Sequence, residues 1–89
     1  MIKYDVFFKD LCIGKLYINE QGQYKYAVNA DAVVEAEKED TIFAAAKTDR
    51  DWGEPIPFFD ERIENCKRFG QEEKVTYPNS EYYFIKDNH

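Results

Sequence analysis

The chain has 89 residues, twelve basic and eighteen acidic side chains, and a formal net charge of −6. That length fits one domain, and the balance excludes the uniformly basic surface by which many proteins grip a nucleic-acid duplex. The charge is uneven, because Asn29 to Glu64 holds eleven carboxylates against four basic side chains, a local surplus of −7.

Ile2 to Lys9 alternates, with Ile2, Tyr4, Val6 and Phe8 on one side and Lys3, Asp5, Phe7 and Lys9 on the other. A period of two with β-branched and aromatic residues predicts a half-buried strand. Asp10-Leu11 reads as a tight turn, and Cys12 to Asn19 as a second strand in which Gly14 marks a bulge or a close backbone approach. Glu20-Gln21-Gly22 is the next turn, with Gly22 free to take positive φ. Gln23 to Asn29 alternates again, with Tyr24, Tyr26 and Val28 on one face. Short turns between three strands predict an antiparallel meander.

Asn29 or Asp31 is a candidate cap for a short helix running to Lys38. Thr41 to Lys47 reads equally as helix, from Ala44-Ala45-Ala46, or as strand, from Thr41-Ile42-Phe43; periodicity does not separate the two in so short a run. Thr48 to Pro55 is a loop by composition. Pro57 to Phe69 carries the clearest helix pattern. Phe58, Phe59, Ile63, Cys66 and Phe69 share one arc, acids open the first turn and bases close the last, Pro57 suits the first position, and Gly70 suits the exit. Lys74 to Tyr77 and Glu81 to Lys86 predict a closing hairpin around Pro78-Asn79-Ser80, with Asp87-Asn88-His89 as a frayed tail. The expected fold class is thus α+β, one domain over residues 1–89: a three-stranded antiparallel β-meander, one amphipathic helix and a C-terminal β-hairpin. The sheet face of Tyr4, Val6, Phe8, Tyr24, Tyr26 and Val28 is expected to pack on Phe59, Ile63 and Cys66. Most of the seven Phe, seven Tyr and one Trp are needed for that core, since each ring can bury about 150–250 Å²; an exposed stacking surface would use the remainder.

No window approaches the roughly 18–20 apolar residues of a membrane span, and the N-terminus lacks the apolar run of a signal peptide. Cys12 and Cys66 lie 54 residues apart without a Cys-x-x-Cys pair. Both are expected as free thiols in a cytoplasmic protein.

The chemistry-bearing residues are sparse. The single histidine, His89, is terminal, where nothing orients it as a general base. Two isolated cysteines and one terminal histidine do not make a zinc set. Asp49, Asp51 and Glu54 resemble a calcium loop at positions one, three and six, but Gly53 falls at five and Asp60 at twelve, so they read as turn residues beside Arg50. Asp60 and Glu64 share a helix face, which is a solvated face more often than a catalytic pair. Gly14, Gly22, Gly53 and Gly70 are scattered and form no phosphate loop. No cofactor or metal is expected. A basic patch would require Lys3, Lys9, Lys15 and Lys25 to share a face; Lys3, Lys9 and Lys25 do fall opposite the main apolar stripe, but direct nucleic-acid contact is not expected from the charge.

The leading expectation is a non-enzymatic protein-binding or regulatory module. Its candidate surface is Glu35, Glu37, Glu39, Asp40, Asp49, Asp51, Trp52 and Glu54, recognising a protein partner. Trp52 to Phe59, stiffened by Pro55 and Pro57, reads as a loop laid over the core edge or as a binding ridge. The runner-up is an acidic mimic of nucleic acid that blocks a nucleic-acid-binding enzyme, of the phage or mobile-element kind. A third reading is a small sugar-binding or hydrolytic domain using exposed Tyr and carboxylate side chains.

Overall fold

The structure, a computed structural model, describes residues 1–67, 74–76 and 80–87, with residues 66, 67 and 74–76 described by their backbone. The meander forms as the alternation predicts. Strand β1 is Ile2–Phe8, β2 is Leu11–Ile18 and β3 is Tyr24–Val28, each antiparallel to the next. The first turn lies one residue earlier than expected, at Lys9-Asp10, and Lys9 adopts φ 54°. A non-glycine residue takes that conformation only when held there. Here the Lys9 N–H donates to the Glu81 carbonyl at 2.9 Å, and its ammonium meets Asp40 at 2.7 Å. Gly22 takes positive φ, 80°, in the second turn.

The register slips between Val6 and Phe7, placing Ile13 as the extra residue of a bulge beside Gly14. Both Ile13 and Leu16 are thereby buried. Helix α1 is Ala30–Ala36, shorter than the sequence pattern suggests. Asn29 stands at its N-cap but makes no cap bond; its side-chain amide donates instead to the Cys12 carbonyl at 3.2 Å, tying the helix start to β2. The open segment resolves as a 3-10 turn at Ala44–Ala46.

Thr48 to Pro55 is not wholly a loop. Arg50–Gly53 forms β4, an edge strand antiparallel to β3. An edge strand needs hydrogen bonds on one side and only a little apolar surface, so its charged sequence conceals it. Helix α2 is Pro57–Lys67; the expected contributions of Phe69 and Gly70, and of the Cys66 side chain, lie outside the described residues. Strands β5, Lys74–Thr76, and β6, Tyr82–Lys86, pair antiparallel as the closing hairpin; of its expected turn, Pro78 and Asn79 lie outside the described residues.

The sheet order is β4-β3-β2-β1-β6-β5. Thus β6 returns to pair with β1, and the Asp87 N–H donates to the Lys3 carbonyl at 2.8 Å beyond that ladder; Asn88 and His89, the rest of the expected frayed tail, lie outside the described residues. Both helices cover one sheet face. Val33 and Ala36 of α1, and Phe58, Phe59 and Ile63 of α2, join Tyr4, Val6, Phe8, Leu16, Tyr24, Tyr26 and Phe84 in one core. Val28 is only half-buried. The architecture is a small α+β domain, and no described helix is long and apolar enough to cross a membrane.

Two core tyrosines keep their hydroxyls bonded. Tyr24 donates to Asp60 at 2.7 Å, and Tyr26 to the Ala46 carbonyl at 2.6 Å. Burial raises the Tyr24 phenol above its ordinary value near 10, with the Asp60 hydrogen bond adding to it, and burial likewise raises Tyr26. The folded state therefore holds these protons more tightly than the unfolded chain. Their contribution is complete below about pH 10 and is lost as pH rises from there through the folded-state values. The expected result is a urea midpoint that falls between pH 9 and 11 (about one unit either side of the free phenol), with a shallower fall in Tyr24→Phe. An unchanged midpoint over that range would contradict the assignment.

Candidate functional site

Thr41 to Lys47 packs on the core through Ile42 and Ala46 and is anchored at both ends. Glu37 accepts from the Ile42 N–H at 3.4 Å and pairs with Lys47 at 3.0 Å. That ammonium holds the Glu37 carboxyl below its usual range, with the Ile42 N–H adding to it. The Phe43 N–H donates to the Tyr82 hydroxyl at 2.9 Å, and Tyr26 holds the Ala46 carbonyl from below. Buried Ile42 and Ala46 supply the apolar footing.

The anchored segment and the first turns of α2 form the walls of a groove of about 660 Å³. Phe43 is 57% exposed yet stacked on Phe58, with centroids 4.7 Å apart and planes 14° from parallel. Phe58 packs edge-on against Tyr82 at 5.1 Å. The Arg62 guanidinium lies 4.0 Å from the Phe58 centroid and donates to the Phe58 carbonyl at 2.8 Å. Cation–π contact and the hydrogen bond together fix that guanidinium. Buried Ile56 and the charged side chains Glu61 and Arg62 complete its lining. An exposed aromatic, an ordered arginine and a tyrosine in one concavity are the residue types that dominate binding hot spots.

The eight residues expected to form a protein-binding surface fall on two parts of the chain. Glu35, Glu37, Glu39 and Asp40 lie at and just after the end of α1, while Asp49, Asp51, Trp52 and Glu54 lie on and beside β4. Three are held in ion pairs: Glu35 with Lys38 at 3.0 Å, Glu37 with Lys47, and Asp40 with Lys9. The hydrogen bond to Asp40 raises the Lys9 ammonium above its ordinary value, with desolvation opposing it. Asp49 accepts from the Val28 N–H at 2.7 Å and Asp51 from the Trp52 N–H at 2.8 Å, so both carboxylates serve the backbone around β4. Trp52 is half-buried, while Glu39 and Glu54 are exposed. The Glu54 carbonyl accepts from Arg50 at 2.7 Å.

The groove itself was not among the eight. Part of it was legible: Ile56, Pro57 and Phe58 come from the stiff stretch whose binding-ridge reading stood beside the loop reading. Phe43 carried no signal, because nothing in Thr41 to Lys47 shows that its ring is left outside the core. Among the described residues, no three His, Cys, Asp or Glu side chains come together as a metal set. Compared with family models, curated proteins and solved structures, the chain matches none.

Proposed function

We propose that this chain is a non-enzymatic protein-binding module acting in the cytoplasm, and that its groove receives an apolar side chain from a basic segment of a protein partner. The observation that carries this reading is Phe43, stacked on Phe58 at the mouth of the groove with most of its surface in water. An exposed ring held in one position has little conformational freedom left to lose on binding. The partner's sign follows from the flanks. Glu39 precedes the groove segment, Glu54 precedes Ile56, and Glu61 lines the groove, each exposed to solvent. Such a surround favours a basic partner and accelerates its approach. The nucleic-acid mimic has less support, because it needs a continuous row of open carboxylates and three of the eight acidic-surface residues are engaged with lysine.

The test is capture of a partner from the native source, followed by titration with that partner purified. Phe43→Ala is expected to weaken binding about 10-fold or more, the scale of a hot-spot truncation, while the fold is kept and the lost stack on Phe58 costs only about 0.5–1.5 kcal/mol of stability. Charge reversal at Glu39, Glu54 and Glu61 is expected to slow association and flatten its salt dependence. Undiminished affinity in Phe43→Ala would remove the groove from the interface.

A further inference from the structure

Among the described residues, nothing covers the sheet face opposite the helices. The register sets Lys3, Tyr17 and Lys25 side by side across β1, β2 and β3. Two residues along, Ile85, Asp5, Lys15 and Ala27 form the next row, followed by Tyr83, Phe7 and Cys12. Paired residues in antiparallel strands project to the same side. Their sequence neighbours Tyr4, Val6, Leu16, Tyr26 and Phe84 point into the core, so these rows face away from it. None of the row residues is buried, and Lys15, Ala27 and Ile85 are exposed. The lysines do not make a basic patch. Asp87 continues the first row beyond Lys3, to whose carbonyl its N–H donates at 2.8 Å. Asp51 of β4 stands beside Lys25, and Asp5 lies opposite Lys15, 3.9 Å from it. Lys9, assigned to this face by alternation, sits in the turn with Asp40. Each lysine of the face thus has a carboxylate on the adjacent strand, and rings and small apolar side chains fill the rest.

We propose that this face is a dimer interface, on which a second copy of the chain packs sheet against sheet about a two-fold axis parallel to the strands. The order β4-β3-β2-β1-β6-β5 puts β1 and β2 at the centre of the sheet. An axis between them is the placement that overlaps all six strands of both copies. That rotation lays β2 over β1 of the second copy and β3 over its β6, and it returns each row to its own level. In the central row, Lys15 meets Asp5 of the second copy and Asp5 meets its Lys15. The two Asp5–Lys15 pairs therefore close a ring of four alternating charges on the axis. In the same row Ile85, 39% exposed, meets Ala27. In the first row Lys25 meets Asp87, and Lys3 meets the Tyr17 ring in a cation–π pairing. In the third, Phe7, already stacked on Tyr83 with centroids 4.9 Å apart, meets Cys12. Across β3, β2, β1 and β6 no charge meets its own sign. A two-fold interface requires this, because each patch is its own partner.

The size suffices. Six strands about 4.8 Å apart and about five residues long give a face of roughly 29 by 17 Å. Two such faces bury on the order of 1,000 Å², the lower bound for a specific interface. Association in the micromolar range is expected at that size. Aligned sheets pack at about −30°, and the central row, nearest the crossing point, is displaced least by that angle. Other occupants fit less well. A nucleic-acid strand would meet Asp5, Asp51 and Asp87 among the lysines and gain no net attraction. A second copy supplies the matching pattern by symmetry. The groove lies on the helix side and stays open in both copies, so this inference does not rest on it.

The test is the mass of the full chain by analytical ultracentrifugation from about 1 μM to 1 mM. A concentration-dependent shift to twice the monomer mass is expected. Asp5→Lys puts two cations beside the axis and Lys15→Asp puts two anions there. Each variant alone is expected to dimerise at least about 10-fold more weakly. Mixed in equal amounts, the two are expected to recover a dimer. Each copy still carries like charges at both positions, so only contact between copies accounts for that recovery. Ala27→Lys, which sets a cation against Ile85 of the second copy and touches neither charge, is expected to weaken the dimer as well. All three substitutions lie on the solvent side of the sheet, and circular dichroism checks that the fold is kept. Three results would overturn the proposal. A chain monomeric up to about 1 mM would leave the face to a different protein. A dimer indifferent to all three substitutions would place its interface elsewhere. Folded charge variants that dissociate but do not recover when mixed would refute the two-fold pairing.

Discussion

Phe59→Ala is expected to destabilise the domain by about 3–5 kcal/mol, the range for truncating a buried phenylalanine. Phe59 has no exposed surface, and its ring meets Tyr26 at 4.9 Å, Phe58 at 5.2 Å and Phe84 at 5.5 Å. It therefore joins α2 to β3 and to β6, two strands separated in the sheet by β2 and β1. Domains are stable by only about 5–15 kcal/mol, so the loss is a large share of the total. Urea or thermal unfolding reads it directly, and a domain this size should lose at least about 12 °C in Tm. Phe59→Leu keeps much of the volume and should cost less. A loss below about 1 kcal/mol for Phe59→Ala would mean that the ring is not the packing centre of the core.

Gly14→Ala is the second substitution with a large expected effect, although it adds a single methyl group. A Cβ on Gly14 would fall onto the Tyr26 hydroxyl and within 2.8 Å of the Ala27 carbonyl. Neither can yield easily. Ala27 is paired in the ladder opposite Lys15, and the Tyr26 hydroxyl is tied to the Ala46 carbonyl. Overpacking a core costs about 1–3 kcal/mol, and a buried carbonyl stripped of its donor costs about 1–3 kcal/mol more. The expected loss is about 2–6 kcal/mol in all. Because Tyr26 tethers the segment bearing Phe43, the same substitution should weaken partner binding at the groove. The discriminating measurement is a double-mutant cycle with Tyr26→Phe. Removing the hydroxyl relieves part of the clash, so the double variant should lose less stability than the two single losses together. Strict additivity would separate Gly14 from Tyr26 and refute the steric account.

The legible parts of the fold are those that local chemistry specifies. Alternation in Ile2 to Lys9 and Gln23 to Asn29 fixed which side chains enter the core, since a strand shows successive residues to opposite faces. Gly22 gave its turn through the only side-chain-free route to positive φ. Helix α2 was readable because period, charge placement and Pro57 all pointed the same way. What failed to show was short or marginal. β4 is a four-residue edge strand, Arg50-Asp51-Trp52-Gly53, without an alternating apolar pattern, and one row of hydrogen bonds sufficed to form it. Thr41 to Lys47 has no preferred geometry of its own; bonds from Glu37, Tyr26 and Tyr82 set it.

The surface divides in the same way. The sequence by itself determined that the molecule is acidic in its middle, that its strands have one apolar and one mixed face, and that aromatic side chains supply most of the core. Only the tertiary structure decided which aromatics stay outside and which charges meet. Pairing with Lys9, Lys38 and Lys47 partly neutralised the acidic segment, placement over Phe58 left Phe43 in water, and strand register set Lys3, Lys15 and Lys25 beside Asp87, Asp5 and Asp51. The reason is range. A strand or helix pattern is set by neighbours a few residues apart, whereas Lys9 meets Asp40 across 31 positions and Phe43 meets Tyr82 across 39, separations that only the folded sheet and the segments packed on it bring within a hydrogen bond.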